Sequence, residues 1–225
     1  HTVRQKLVYI SNPTVLGTIY KKDELRALKE VCTRNNLYLY VDGARLGSAL
    51  MSAENDMTLA EFAAYPDAFY IGGTKNGALM GEALIIQRDE LKEDFRYSMK
   101  QKGAMLAKSR ILGIQFTELF KGHLFWDLAD HANLMAQKLQ DGLAANGVTF
   151  LVQASTNQLF PVLSDQLIEE LQKKYSFYIW QRVNEKTSAI RLITSWATRE
   201  EKVDQFIADV KAIKNRIEKK QTSFA

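Results

Sequence analysis

The sequence predicts an α/β protein: a mostly parallel sheet flanked by helices over residues 1–120, then a small α+β domain over residues 121–225. Three observations predict this. Two apolar runs, LVYIS at 7–11 and LYLYVD at 37–42, bracket a stretch with helical spacing of its apolar residues. That order is a βαβ unit, so the two strands are expected to be parallel. Next, DAFYI at 67–71 and EALIIQ at 82–87 are joined by a loop carrying Gly72, Gly73, Gly77 and Gly81, which predicts an antiparallel pair in a mixed sheet. Finally, after Asn146-Gly147 the pattern changes to short strands alternating with two helices.

Each element has its own signal. Pro13 and Gly17 mark 12–20 as a loop. Asp23 opens a helix with Leu25, Leu28, Val31 and Cys32 on one face, and Asn35-Asn36 ends it. A second helical stretch covers 56–64, and 89–146 reads as helical with a break at Lys121-Gly122-His123. In the C-terminal part VTFLV, NQLFPVL, FYIW and AIRLITS read as strands, and 164–175 and 199–219 as helices. The chain opens HTVRQKLVYIS, without Met and almost at once in a strand, which reads as the interior of a longer protein.

Composition bounds the function. The 225 residues can bury a substantial core. A net charge of +4, from 30 basic and 26 acidic residues spread along the chain, argues against a nucleic-acid surface and suits a small anionic ligand. The lone Cys32 excludes an intramolecular disulfide and fits a reducing, cytoplasmic setting. No apolar run approaches the ~18 residues that a membrane span needs. No metal-binding pattern is expected.

Three features carry chemistry. VDGAR at 41–45 puts Asp42 at the end of an apolar strand, and GGTKN puts Lys75 just past the next one. In an open α/β sheet, ligands bind outside the carboxyl ends of strands, so the two are expected to face one crevice. AIRLITSW places Arg191 inside an apolar strand, where a guanidinium needs a partner such as a ligand carboxylate. An acid, a lysine on a glycine loop and an arginine suit pyridoxal phosphate. That cofactor needs an amine for a Schiff base and a carboxylate at its ring nitrogen, and an amino-acid substrate needs a fork for its carboxylate. The glycines beside Lys75 are expected to let the backbone approach a flat cofactor and adopt angles that other residues resist.

The stretches LVYISNPTVLGTIYKKDELRALKEVC, YLYVDGARLGSAL and AFYIGGTKNGALMGEAL resemble the low-specificity threonine aldolases. These belong to the β-eliminating lyase group of pyridoxal phosphate enzymes, with the aspartate-aminotransferase fold (fold type I). The match is strong over about residues 1–90, and IRLITSWATREEKVDQF is similar to the family's small domain. The resemblance implies that Lys75 carries the Schiff base, that Asp42 pairs with the pyridine nitrogen, and that Arg45 and Arg191 hold the substrate carboxylate. It also implies that Ser11 and Asn12 touch the cofactor's 3′-oxygen or the substrate, and that His1 lies near the substrate hydroxyl. Lys108 would approach a neighbouring subunit's phosphate. The implied reaction is retro-aldol cleavage of threonine or allo-threonine to glycine and an aldehyde. The implied assembly is a homodimer or homotetramer with sites at subunit interfaces. The family's phosphate-binding turn and ring-stacking histidine would precede residue 1, so this length alone is expected to hold cofactor poorly.

Other readings stay open at this point. The runner-up keeps the cofactor but eliminates a β-substituent from another amino acid. A different class is a non-catalytic piece that keeps only association surfaces. A phosphate-loop reading of GGTKNG fails, because GxxxxGK[ST] is absent. Singly, Lys75 could be a loop lysine, Asp42 a helix cap, Arg45 a helix-surface arginine, and Arg191 the partner of an internal acid. Glu82 reads as structural, and His123 and His131 as packing or surface residues.

Overall fold

A computed structural model describes residues 3–222. The chain divides into two compact units: His1–Val15 with Ile19–Asp130, and Leu16–Thr18 with His131–Ala225.

The first unit holds a four-stranded sheet in the order β1 (Leu7–Ser11), β2 (Tyr38–Asp42), β3 (Ala68–Gly72), β4 (Glu82–Ile86). The pairs β1–β2 and β2–β3 are parallel, and β3–β4 is antiparallel with Gly72 opposite Glu82. Helix α1 (Lys22–Arg34) makes the crossover between the first two strands. Asp23 and Glu24 in its first turn suit the positive end of the helix dipole. Asn36, at φ 52°, turns the chain out beyond its last turn. Leu25 and Cys32 are buried, whereas Val31, expected on the same face, is 42% exposed. Short helices α2 (Leu46–Leu50) and α3 (Leu59–Ala63) follow β2; a Thr58/Glu61 capping box starts α3. The sequence reading had no helix at α2.

The pleat sorts the sheet's side chains into two faces. Ile10, Leu39, Val41, Phe69 and Ile71 point into a core with Leu25, Leu46, Phe62 and Phe125. The opposite face carries Leu7, Tyr9, Tyr40, Tyr70 and Leu84, of which Leu7, Tyr9 and Leu84 are exposed among the described residues.

The region expected to be helical from 89 breaks twice. Helix α4 (Phe95–Gln101) ends at Gly103, in the left-handed region at φ 72°, and α5 (Arg110–Phe120) follows. The predicted break at Lys121-Gly122-His123 precedes α6 (Leu124–Ala145).

The second unit is a small antiparallel sheet with helices. Strand β9 (Thr187–Ile193) pairs with β6 (Gln158–Leu159), β7 (Pro161–Ser164) and β8 (Tyr178–Arg182), and β5 (Thr149–Phe150) pairs with β7. Helices α7 (Asp165–Gln172) and α8 (Glu200–Thr222) complete it, with Ser164 capping α7 through the Leu167 N–H. Its core gathers Leu143, Leu163, Leu171, Ile190 and Val210. The α/β class with a following α+β unit is therefore as the sequence predicts. Among the described residues no helix is long and apolar enough to cross a membrane.

Candidate active site

Asp42 ends β2 beside Ser11 of β1, and its carboxylate is the centre of the first unit's polar cluster. Tyr70 Oη donates to Oδ1 at 2.5 Å and the Ala44 N–H donates to Oδ1 at 3.0 Å. Tyr9 Oη donates to Oδ2. Asp42 does not cap α2, whose N-cap is Arg45. The rings that bring these phenols in form a row: Tyr9 stacks on Tyr40 at 5.7 Å between centroids, and Tyr40 meets Tyr70 at 6.4 Å.

Burial alone pushes the Asp42 carboxyl up. The hydrogen bonds from Tyr70, Tyr9 and Ala44, together with the Lys75 charge, reverse this and hold it below its ordinary value. The same contacts act oppositely on the phenols. Burial and the bond to Asp42 push Tyr70 up, and the bond to Asp42 followed by burial pushes Tyr9 up. Lys75 is thus close enough for its charge to be felt at Asp42.

The turn that presents Lys75 is built around glycine, through the backbone angles the sequence suggested and through close packing of its own backbone. A Cβ on Gly43 would stand 1.9 Å from Tyr70 O, and one on Gly72 would stand 2.2 Å from Ala44 O. The loops after β2 and β3 therefore pack backbone on backbone. On Gly73 a Cβ would meet Gly81 O at 2.6 Å, and Gly77 and Gly81 both take φ of +100°. Gly43, Gly72 and Gly73 answer to the protein's own packing, and Gly77 and Gly81 to their backbone angles. Glu82 is structural, as expected: its Oε2 accepts from the Gly73 N–H at 2.6 Å. Asn76, 7% exposed, donates from Nδ2 to Phe125 O at 2.8 Å and anchors the single 3-10 turn Thr74–Asn76.

The other expected residues are distributed as follows. Arg45 is half-buried at the start of α2. Ser11 is half-buried at the end of β1. Asn12 is 2% exposed, and its Oδ1 accepts from the Tyr20 N–H at 3.1 Å, which ties down the following loop. Lys108 is exposed between α4 and α5. His1 lies outside the described residues.

Arg191 belongs to the second unit. It sits in β9, donates from an Nη to Gln158 Oε1, and stacks its guanidinium 5.5 Å from the Trp180 ring centroid. Gln158 is 1% exposed. The Arg191 Nε is buried without a hydrogen-bond partner among the described residues. No internal acid pairs with it there, contrary to the bland alternative. A guanidinium oriented by Gln158 and Trp180 suits a carboxylate.

Sequence reasoning missed Tyr9, Tyr70, Gln158 and Trp180. The signal for the tyrosines was present: period-two parity puts Tyr9 with Ser11, and Tyr40 with Asp42, on one sheet face. As a donor set, the first unit offers a carboxylate held ionised and a lysine amine in its field. That fits a group carrying both a cationic ring nitrogen and an aldehyde.

A sequence model of the beta-eliminating lyase family matches residues 1–166. The chain is 31% identical over 215 residues to the low specificity L-threonine aldolase of Pseudomonas aeruginosa, covering 95% of this chain and 61% of that protein. It is similar to the solved structure of a threonine aldolase from Leishmania major, at 47% identity and a TM-score of 0.90, covering 92% of this chain and 61% of that one. A Thermus thermophilus aspartate aminotransferase mutant, at 16% identity and a TM-score of 0.65, shows the same fold. The chain spans about 61% of the length of these first two relatives.

Proposed function

From the premise that the chain belongs to the beta-eliminating lyase family, we propose that it is the pyridoxal phosphate-binding part of a threonine aldolase-like carbon–carbon lyase. The substrate would be threonine, allo-threonine or a related β-hydroxy amino acid, cleaved to glycine and an aldehyde. The observation that carries this reading is that Asp42, held by Tyr70, Tyr9 and the Ala44 N–H, ends one strand while Lys75 stands just past the end of its neighbour.

Bound pyridoxal phosphate would supply an electron-accepting ring for the carbanion left when the Cα–Cβ bond breaks. Asp42 would hold the proton on the pyridine nitrogen, which keeps that ring electron-poor. Lys75 would supply the Nζ amine that attaches the cofactor and is displaced by the substrate amine. Ser11 and Asn12 are proposed to border the cofactor. Arg45 and Arg191 are proposed to hold the substrate carboxylate. Fixing the carboxylate orients the scissile bond, an effect that can supply several kcal/mol. A base would accept the β-hydroxyl proton, and His1 is the residue proposed for it. The whole enzyme is proposed to be a homodimer or homotetramer.

The test is reduction with borohydride after adding pyridoxal phosphate, then digestion and mass spectrometry. A pyridoxyl adduct confined to Lys75, and lost in Lys75→Ala, is the expected result. An adduct scattered over surface lysines, or none even in a chain extended to the length of its relatives, rejects the cofactor assignment. Acetaldehyde released from threonine then separates retro-aldol cleavage from β-elimination.

A further inference from the structure

We propose that Tyr9 and Tyr70 are positioning residues for Asp42, and that they leave its Oδ2 as the atom that meets the cofactor's ring nitrogen. This rests on the pyridoxal phosphate reading above, and it assigns roles to two residues the family resemblance did not supply.

An ionised carboxylate offers about four acceptor positions, two on each oxygen. Oδ1 takes two donors, the Tyr70 hydroxyl at 2.5 Å and the Ala44 N–H at 3.0 Å. It is filled. Oδ2 takes the Tyr9 hydroxyl alone among the described residues. One acceptor position remains, and it lies on Oδ2 beside Tyr9. A ring N–H arriving at Asp42 therefore shares Oδ2 with that phenol.

The two tyrosines also fix the plane of the carboxylate. They approach from opposite neighbours, Tyr9 from β1 and Tyr70 from β3, so the group is held against rotation from both sides. The Tyr9–Tyr40 stack, 19° from parallel, sets the angle of the more exposed phenol. The phenols are neutral donors. They stabilise the ionised form without supplying the positive charge that would satisfy it. The titratable groups facing this carboxylate are Tyr9 from β1, Tyr70 from β3 and Lys75 from the turn beyond β3, with Tyr40 on its own strand; Glu82 of β4 acts on Tyr70.

The experiment uses Tyr9→Phe, Tyr70→Phe and the double variant, with two readings on each. The first is the titration of Asp42 by NMR on carboxyl-labelled protein without cofactor. The second is the dissociation constant for pyridoxal 5′-phosphate, from its absorbance change, measured in a chain extended to the length of its relatives. Removing one phenol is expected to raise the Asp42 midpoint by about one pH unit and to weaken cofactor binding about tenfold, with the double variant showing more of both. Folded variants with an unmoved Asp42 midpoint overturn the proposal, whatever the cofactor does. A moved midpoint with unchanged cofactor affinity also overturns it, because Asp42 would then not face the ring. If the wild-type sequence, extended to the length of its relatives, forms no Lys75 adduct while the midpoint moves, the cofactor assignment has failed, and the role toward the ring falls with it. A variant that does not fold is replaced by Tyr40→Leu, which removes the stack and keeps both phenols; the same shift at smaller size is expected.

Discussion

Asp42 ends β2 and Asp67 immediately precedes β3, and both are held below the ordinary carboxylate range by contrasting partners. Burial pushes Asp67 up, and Lys29, the Leu39 N–H and Arg88 more than reverse it. Lys29 Nζ stands 2.6 Å and Arg88 Nε 2.8 Å from Oδ1, while the Leu39 N–H donates to Oδ2 at 2.8 Å. Asp67 is only 2% exposed, and two cations of the same unit neutralise it. Its task is internal: it fastens α1, the start of β3 and the segment after β4 to one another. Asp42 has phenols and one amide where Asp67 has cations, and feels an ammonium from further off. Its negative charge is stabilised but not cancelled. A carboxylate kept ionised by neutral donors suits the cofactor cation proposed for it.

The sharpest way to break this contrast is to delete each acid. Asp67→Ala strands a half-buried lysine and a buried Leu39 N–H, and is expected to cost about 3 kcal/mol in denaturant unfolding. Asp42→Ala frees two phenols that lie nearer solvent, and is expected to cost about 1 kcal/mol or less while abolishing cofactor binding. Equal losses of stability in the two variants would mean that both acids are structural.

Acid sharpens it next. Both carboxyls have folded values below their unfolded values, so their stabilisation is present above about pH 4 and lost as pH falls through the folded values. Thermal melts between pH 5 and 2 should show a shallower decline for Asp67→Asn than for wild type. The Asp42 cluster should also fail at the alkaline end. Tyr9 and Tyr70 are raised, so their contribution is complete below about pH 10 and fades as pH climbs toward their folded values. Asp67 has no phenol among its partners, and Tyr9→Phe/Tyr70→Phe should flatten that alkaline decline.

The smallest expected effect is that of Lys29→Gln, about 1 kcal/mol, because the lysine side chain is 24% exposed and Arg88 remains on Asp67. A loss as large as that of Asp67→Ala would show that Lys29 alone carries the Asp67 anchor.

Much of this was legible in the sequence where one local signal dominates. The strands ending in Asp42 and preceding Lys75 were found because apolar runs of five, bounded by turn residues, have few other fates. The antiparallel β3–β4 pair followed from its glycine loop. Helix α2 was missed because LGSAL is too short to show a period, and Gly47 within it packs near Ala129 and Phe125, which no local pattern reveals. The stop at Gly103 was overlooked within a stretch of good helix formers. The Asp42 and Arg191 surroundings depend on contacts 28 to 33 residues distant in sequence, from Tyr70, Tyr9 and Gln158. Residue type and strand parity narrow such partners but do not select them.

The backbone contact between Gly43 and Tyr70, and between Gly72 and Ala44, has a consequence for how this protein can change. Both positions are closed to any side chain, so the two loops cannot be tuned separately. A mutation that moves the peptide after Asp42 must carry the peptide before Lys75 along. Natural drift and laboratory libraries alike should find Gly43 and Gly72 silent, with adaptive variation confined to the side chains these loops display.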